Sequence, residues 1–76
     1  MDGIKLTTEQ KEQIQGVFFN ENTFFNCVQD INDVWFLFLS DQDKEEISQT
    51  EWAWVLELPQ GEYTPKPSPP FPNETN

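Results

Sequence analysis

The side chains able to do chemistry in this 76-residue chain are one thiol, Cys27, fourteen carboxylates and four lysines; histidine and arginine are absent. Histidine is the usual general base and metal ligand near neutral pH, and arginine is the preferred clamp for phosphate and carboxylate. Hydrolytic, phosphoryl-transfer and nucleic-acid-binding sites are hard to assemble without them. A nucleophilic Cys27 would need a histidine or a cationic neighbour to lower its pKa. With no histidine and only Lys5, Lys11, Lys44 and Lys66 available, it reads as a small buried residue. Asp41-Gln42-Asp43-Lys44-Glu45-Glu46 opens like a calcium-binding loop. Glu46 and Trp52, however, stand where that loop needs a glycine and a bidentate glutamate. Paired carboxylates for glycoside hydrolysis would need a sugar-sized cleft, and no Gly-rich phosphate loop is present. The expectation is a non-enzymatic protein without cofactor or metal, working by contact.

Charge narrows the partners. The net charge of -10 opposes binding to DNA, RNA and anionic lipid, which runs on lysine and arginine displacing counterions. No direct nucleic-acid or membrane contact is expected; a larger protein assembly or a basic protein suits the surface better. Met1 to Lys5 has neither the basic start nor the apolar stretch of a signal peptide. The longest apolar run, Val34 to Leu39, falls far short of the ~20 residues that span a bilayer. A lone cysteine makes no internal disulfide, and Asn73-Glu74-Thr75 reads as a chance glycosylation sequon. The expected setting is intracellular.

The elements that must position these residues fit one small domain. Thr7 and Gln10 form a capping box for a short peripheral helix from about Thr8 to Gln15, stopped by Gly16. Aromatic and β-branched residues then rise around a turn at Asn20 to Thr23. Asn32-Asp33 reads as a two-residue hairpin turn, pairing Ile31 with Val34, Gln29 with Phe36 and Cys27 with Phe38 on one face, and Val28 with Leu37 and Asp30 with Trp35 on the other. Val34 to Leu39 is apolar on both faces, so that strand is central or covered. Ser40 caps a second helix from Asp41 to about Ser48, with Ile47 inward. Residues 51–58 alternate Trp52, Trp54, Leu56 and Leu58, which favours a strand, although Ile47, Trp54, Val55 and Leu58 also fit helical spacing. Pro59-Gln60-Gly61 ends that element, and beyond Tyr63 the chain becomes proline-rich and extended. The predicted fold is α+β: a small antiparallel sheet of about three strands, a short N-terminal helix, one short capped helix and an extended tail. The domain covers 1–63 and the tail 64–76.

A domain of about 60 residues buries only about 60% of its chain surface, and eleven aromatics exceed what so small a core needs. A partner or self-association covering the surplus would stabilise the fold by mass action. Tryptophan and tyrosine are enriched at interface hot spots, which makes Trp35, Trp52, Trp54 and Tyr63 contact candidates, although an aromatic stripe at strand spacing is also what a core looks like. In the tail, Pro67-Ser68-Pro69-Pro70 fits P-x-x-P, adding Pro67, Pro70 and Phe71. An alternative surface is acidic: Asp30, Asp33, Asp41, Asp43, Glu45, Glu46 and Glu51 would have to form one stripe to mimic nucleic acid and block a basic enzyme.

Phe24-Phe25-Asn26-Cys27-Val28-Gln29-Asp30-Ile31-Asn32-Asp33-Val34-Trp35, then Ser40 with Glu45-Glu46-Ile47, then Glu51-Trp52-Ala53-Trp54-Val55 to Leu58-Pro59, resembles a pattern in small uncharacterised proteins of tailed bacteriophages. The resemblance spans about residues 24 to 70. Cys27 stands where that pattern has proline, and Asp33 where it has glycine. The resemblance implies a viral origin and an accessory role, in the host cytoplasm or on the virion.

Overall fold

The computed structural model describes residues 1–67; Pro70, Phe71 and the rest of the proline-rich end lie outside the described residues. In chain order the elements are β1 (Asp2–Leu6), α1 (Thr8–Ile14), β2 (Val28–Gln29), β3 (Trp35–Leu37), α2 (Asp41–Ser48), a 3-10 helix (Ala53–Glu57) and β4 (Gln60–Glu62). The strands form one antiparallel sheet in the order β2-β3-β1-β4. The α+β class holds, with four strands rather than about three.

Two of those strands arise where local propensity gives little sign of them. β1 carries one short alternation, Ile4-Lys5-Leu6, directly before the Thr7 cap. It is central because β3 and β4 pair with it on both sides. β4 is Gln60-Gly61-Glu62, a sequence with no strand preference of its own, and it exists through pairing Gly61 with Gly3. Both cases illustrate tertiary pairing overriding weak propensity.

The helices follow their caps. Thr7 Oγ1 accepts from the Gln10 amide at 3.1 Å, and Gln10 Oε1 accepts from the Thr7 amide at 2.9 Å. α1 buries Ile14, and Gly16 takes up the left-handed φ of 79° just beyond its end, where a Cβ would be strained. Ser40 Oγ accepts from the Asp43 amide at 3.1 Å to start α2, which buries Ile47.

Residues 51–58 are not a strand. The Thr50 hydroxyl donates to the Ile47 carbonyl at 2.7 Å and accepts from the Trp52 amide at 3.1 Å. That hydroxyl carries the chain from α2 into a tighter helical turn instead of breaking it. Backbone bonds from Val55 to Trp52 and from Leu58 to Val55 set a three-residue repeat. Val55 is thereby sealed in the core, with the flanking residues half-buried against it. Helical spacing wins over alternation.

The β2–β3 hairpin is shifted by one residue from the expected pairing: Val28 faces Phe36 and Gln29 faces Trp35. The loop has three residues, Ile31 to Asp33, with Asp33 at φ 64°. Asp30 decides the register. Its Oδ1 accepts from the amides of both Asn32 and Val34 at 2.9 Å, a geometry that needs the longer loop. The one-residue slip changes which β2 residues share each face; Trp35 and Leu37 lie on the core side, and Phe36 and Phe38 on the opposite face.

A second small hairpin precedes it. Phe18 bridges Phe24, and Phe25 and Phe19 donate to the carbonyls of Val17 and Thr23. Asn20 Oδ1 closes the tip by accepting from the Asn22 amide at 2.7 Å. The core joins Ile4, Leu6 and Leu37 from the sheet to Ile14, Ile47 and Val55 from the helices, with Phe19, Phe25 and Cys27 completing it.

Candidate functional site

Each aromatic doublet of the small hairpin splits across the strand pair, because successive side chains in extended backbone point to opposite sides. Phe19 and Phe25 face inward, ring centroids 4.9 Å apart, and are buried. Phe18 and Phe24 face outward, centroids 5.4 Å apart at 47°, and remain 60% and 46% exposed. Glu21 lies exposed at the tip between them in sequence. The result is a paired aromatic surface beside negative charge.

The aromatic residues expected to form a contact surface lie elsewhere. Trp35 is half-buried against the core, with Lys11 Nζ 4.4 Å from its ring centroid. Trp52 meets Phe25 edge-on at 6.2 Å, and Trp54 packs against the same core. Tyr63 is half-buried on the opposite sheet face, in contact with Phe36 and Phe38, and Pro67 is exposed. The outward pair Phe18 and Phe24 escaped the sequence reading. The signal was present: two Phe-Phe doublets around a polar turn place one ring of each doublet outside whichever way the hairpin packs.

The expected acidic surface loses one member and has two others half-buried. Asp30 is 3% exposed and is spent holding its own loop, so it leaves the expected acidic surface. Asp33 is exposed and pairs with Lys66 Nζ at 2.7 Å. Asp41 and Glu45, one helical turn apart on α2, are exposed, as is Glu51; Asp43 and Glu46 are half-buried. Both carboxylate oxygens of Glu46 accept from Asn20 Nδ2 at 3.0 Å, tying α2 to the tip of the small hairpin. Between these elements runs an open groove of about 510 Å³, lined by Phe19, Asn20, Gln42, Glu45, Glu46 and Thr50 among others.

Cys27 is buried, and burial pushes its thiol from an ordinary 9.0 up to about 11, against the weaker opposing pull of Lys11. A raised pKa keeps the sulfur protonated and poorly nucleophilic. Among the described residues no three histidine, cysteine, aspartate or glutamate side chains are grouped to hold a metal ion. Among them, too, no helix is long and apolar enough to cross a membrane. Comparison with known proteins finds no family model, no curated protein and no solved structure that matches the chain.

Proposed function

We propose that this is a non-enzymatic contact protein that docks on a larger protein assembly through the Phe18–Phe24 hairpin. The observation that carries the reading is that pair: two large rings held against each other at a tilt in mid-hairpin and left exposed, while their doublet partners are sealed inside. Rings ordered by a hairpin lose little entropy on docking, and buried aromatic anchors dominate interface energetics. The chain's charge of -10, with Glu21 at the hairpin tip, favours a partner whose apolar patch is rimmed by lysine or arginine. The likeness to small proteins of tailed bacteriophages supplies the setting, a virion-associated or accessory role.

The reading as an acidic mimic that blocks a nucleic-acid enzyme has less to stand on. Duplex DNA offers one charge per about 1.7 Å of axis, whereas Asp30 is buried and Asp33 is paired with Lys66. The two readings part on ionic strength, because screening acts on exposed charge far more than on buried apolar contact. Tagged protein expressed in the infected cell is captured in low and in high salt, and its partners are identified by mass spectrometry. Capsid or tail proteins retained in high salt are the expected result. A basic nucleic-acid enzyme lost in high salt would overturn it in favour of the mimic.

A further inference from the structure

The sheet face opposite the core is occupied by the chain itself. Phe36 points away from the core yet is 1% exposed, because Tyr63 and Phe38 close over it. The Tyr63 ring stands edge-on to Phe36 at 5.4 Å and to Phe38 at 4.9 Å, and Phe36 and Phe38 stack at 6.3 Å. Gly3 makes the floor: a Cβ there would fall 2.6 Å from Phe38 Cε1. Residues 63–67, Tyr-Thr-Pro-Lys-Pro, belong to no helix or strand, and their prolines favour an extended backbone.

Three polar ties hold this segment. The Tyr63 amide donates to the Met1 carbonyl at 2.7 Å, the Ile31 amide donates to the Thr64 carbonyl at 2.8 Å, and Lys66 Nζ pairs with Asp33 Oδ1 at 2.7 Å. Both members of that ion pair are solvent-exposed, and exposed pairs hold weakly. An aromatic ring, a backbone carbonyl, proline-enforced extension and one basic group are together the recognition chemistry of a linear peptide motif. Here the motif and its receptor belong to the same chain.

We propose that this aromatic face is a docking surface for an extended segment of pattern aromatic-x-Pro-basic from a partner protein, with residues 63–67 as its internal, displaceable occupant. The segment itself shows which contacts such a partner makes: a ring on Phe36 and Phe38, a carbonyl on the Ile31 amide and a cation on Asp33. A tethered occupant acts at an effective concentration in the millimolar range, so it suppresses binding in trans until it is displaced. This face is separate from the Phe18–Phe24 pair, and its test does not depend on the reading of that pair.

The probe is a labelled synthetic peptide, Glu-Tyr-Thr-Pro-Lys-Pro, titrated onto the full chain and its variants. Tyr63→Ala opens the face and should bind the peptide roughly tenfold or more tighter than wild type. Binding should move the amide resonance of Ile31, and a peptide with alanine in place of tyrosine should not bind. Lys66→Glu, which loses one exposed ion pair and leaves the fold intact, should shift affinity the same way by a smaller factor. Equal binding by wild type and Lys66→Glu, together with no gain in a folded Tyr63→Ala, overturns the proposal. If Tyr63→Ala does not fold, the Lys66→Glu result alone decides it. A gel-filtration shift of either variant to a dimer without peptide binding would also overturn it, by making a second copy the occupant.

Discussion

Among the described residues two aromatic clusters lie outside the core, and they are treated in opposite ways. Phe36 lies on a sheet face floored by Gly3 and is sealed there by Phe38 and by Tyr63, the first residue of the chain's own extended segment. Phe18 and Phe24 lie on a two-strand hairpin tied to α2 through Asn20 and Glu46, and among the described residues they stay 60% and 46% exposed. The rings are chemically alike. The difference is whether the chain spends one of its own segments on them. A fold this small gains from every apolar surface it can cover, so an ordered aromatic pair left open is the place to look for a partner.

That contrast can be broken at its strongest point by truncating one ring from each cluster. Phe36→Ala removes a fully buried ring and should cost about 3–5 kcal/mol. A domain of this length holds roughly 4–11 kcal/mol in all, so this is enough to unfold much of the population. Phe18→Ala should change stability by about 1 kcal/mol or less. Urea melts of the two variants check the pair, and equal losses would erase the distinction between covered and open clusters.

The next effect concerns the loop that anchors the cover. Asp30→Ala leaves the Asn32 and Val34 amides without their carboxylate partner and should cost about 1–3 kcal/mol. It should also loosen the Ile31 tie to Thr64, seen as faster hydrogen exchange at the Ile31 amide. An unchanged Ile31 amide would mean that the loop does not depend on Asp30.

The effect confined to the narrowest conditions comes from alkali on the core side. The Cys27 thiol is raised in the folded state from 9.0 to about 11, so the folded state favours the neutral form. Its contribution is therefore fully present below pH 9 and lost as pH climbs from about 9 to 11, where the unfolded chain ionises first. The stability difference between wild type and Cys27→Ala should fall across this window and stay flat below it. A difference flat up to pH 11 would show that Cys27 is not desolvated.

How much of this could be read from the sequence depended on how local the cause was. Both helix starts were legible because capping needs a hydroxyl and an amide three residues apart, as at Thr7 and Ser40. β1 and β4 were not, since Gly3, Gly61 and Gln60 carry no strand signal and pair only through contacts some sixty residues apart. The hairpin was foreseen with its register one residue off. A buried carboxylate at Asp30, which favours the three-residue loop, looks in sequence like any exposed acid. Residues 51–58 carried both alternation and helical spacing, and the Thr50 hydroxyl settles the matter by joining α2 to the 3-10 helix. Of the contact residues expected, the tryptophans went to the core edge, Tyr63 to the covered face, and the open pair arose from doublets read only as strand composition.

The most direct test of the contact reading is capture by the double variant Phe18→Ser/Phe24→Ser beside wild type, from the same infected cells and in high salt. Matched thermal melts must first show that both proteins are folded. The account predicts that the assembly proteins recovered with wild type are lost with the variant. Equal recovery by a folded variant would contradict it and place the docking surface elsewhere on the molecule.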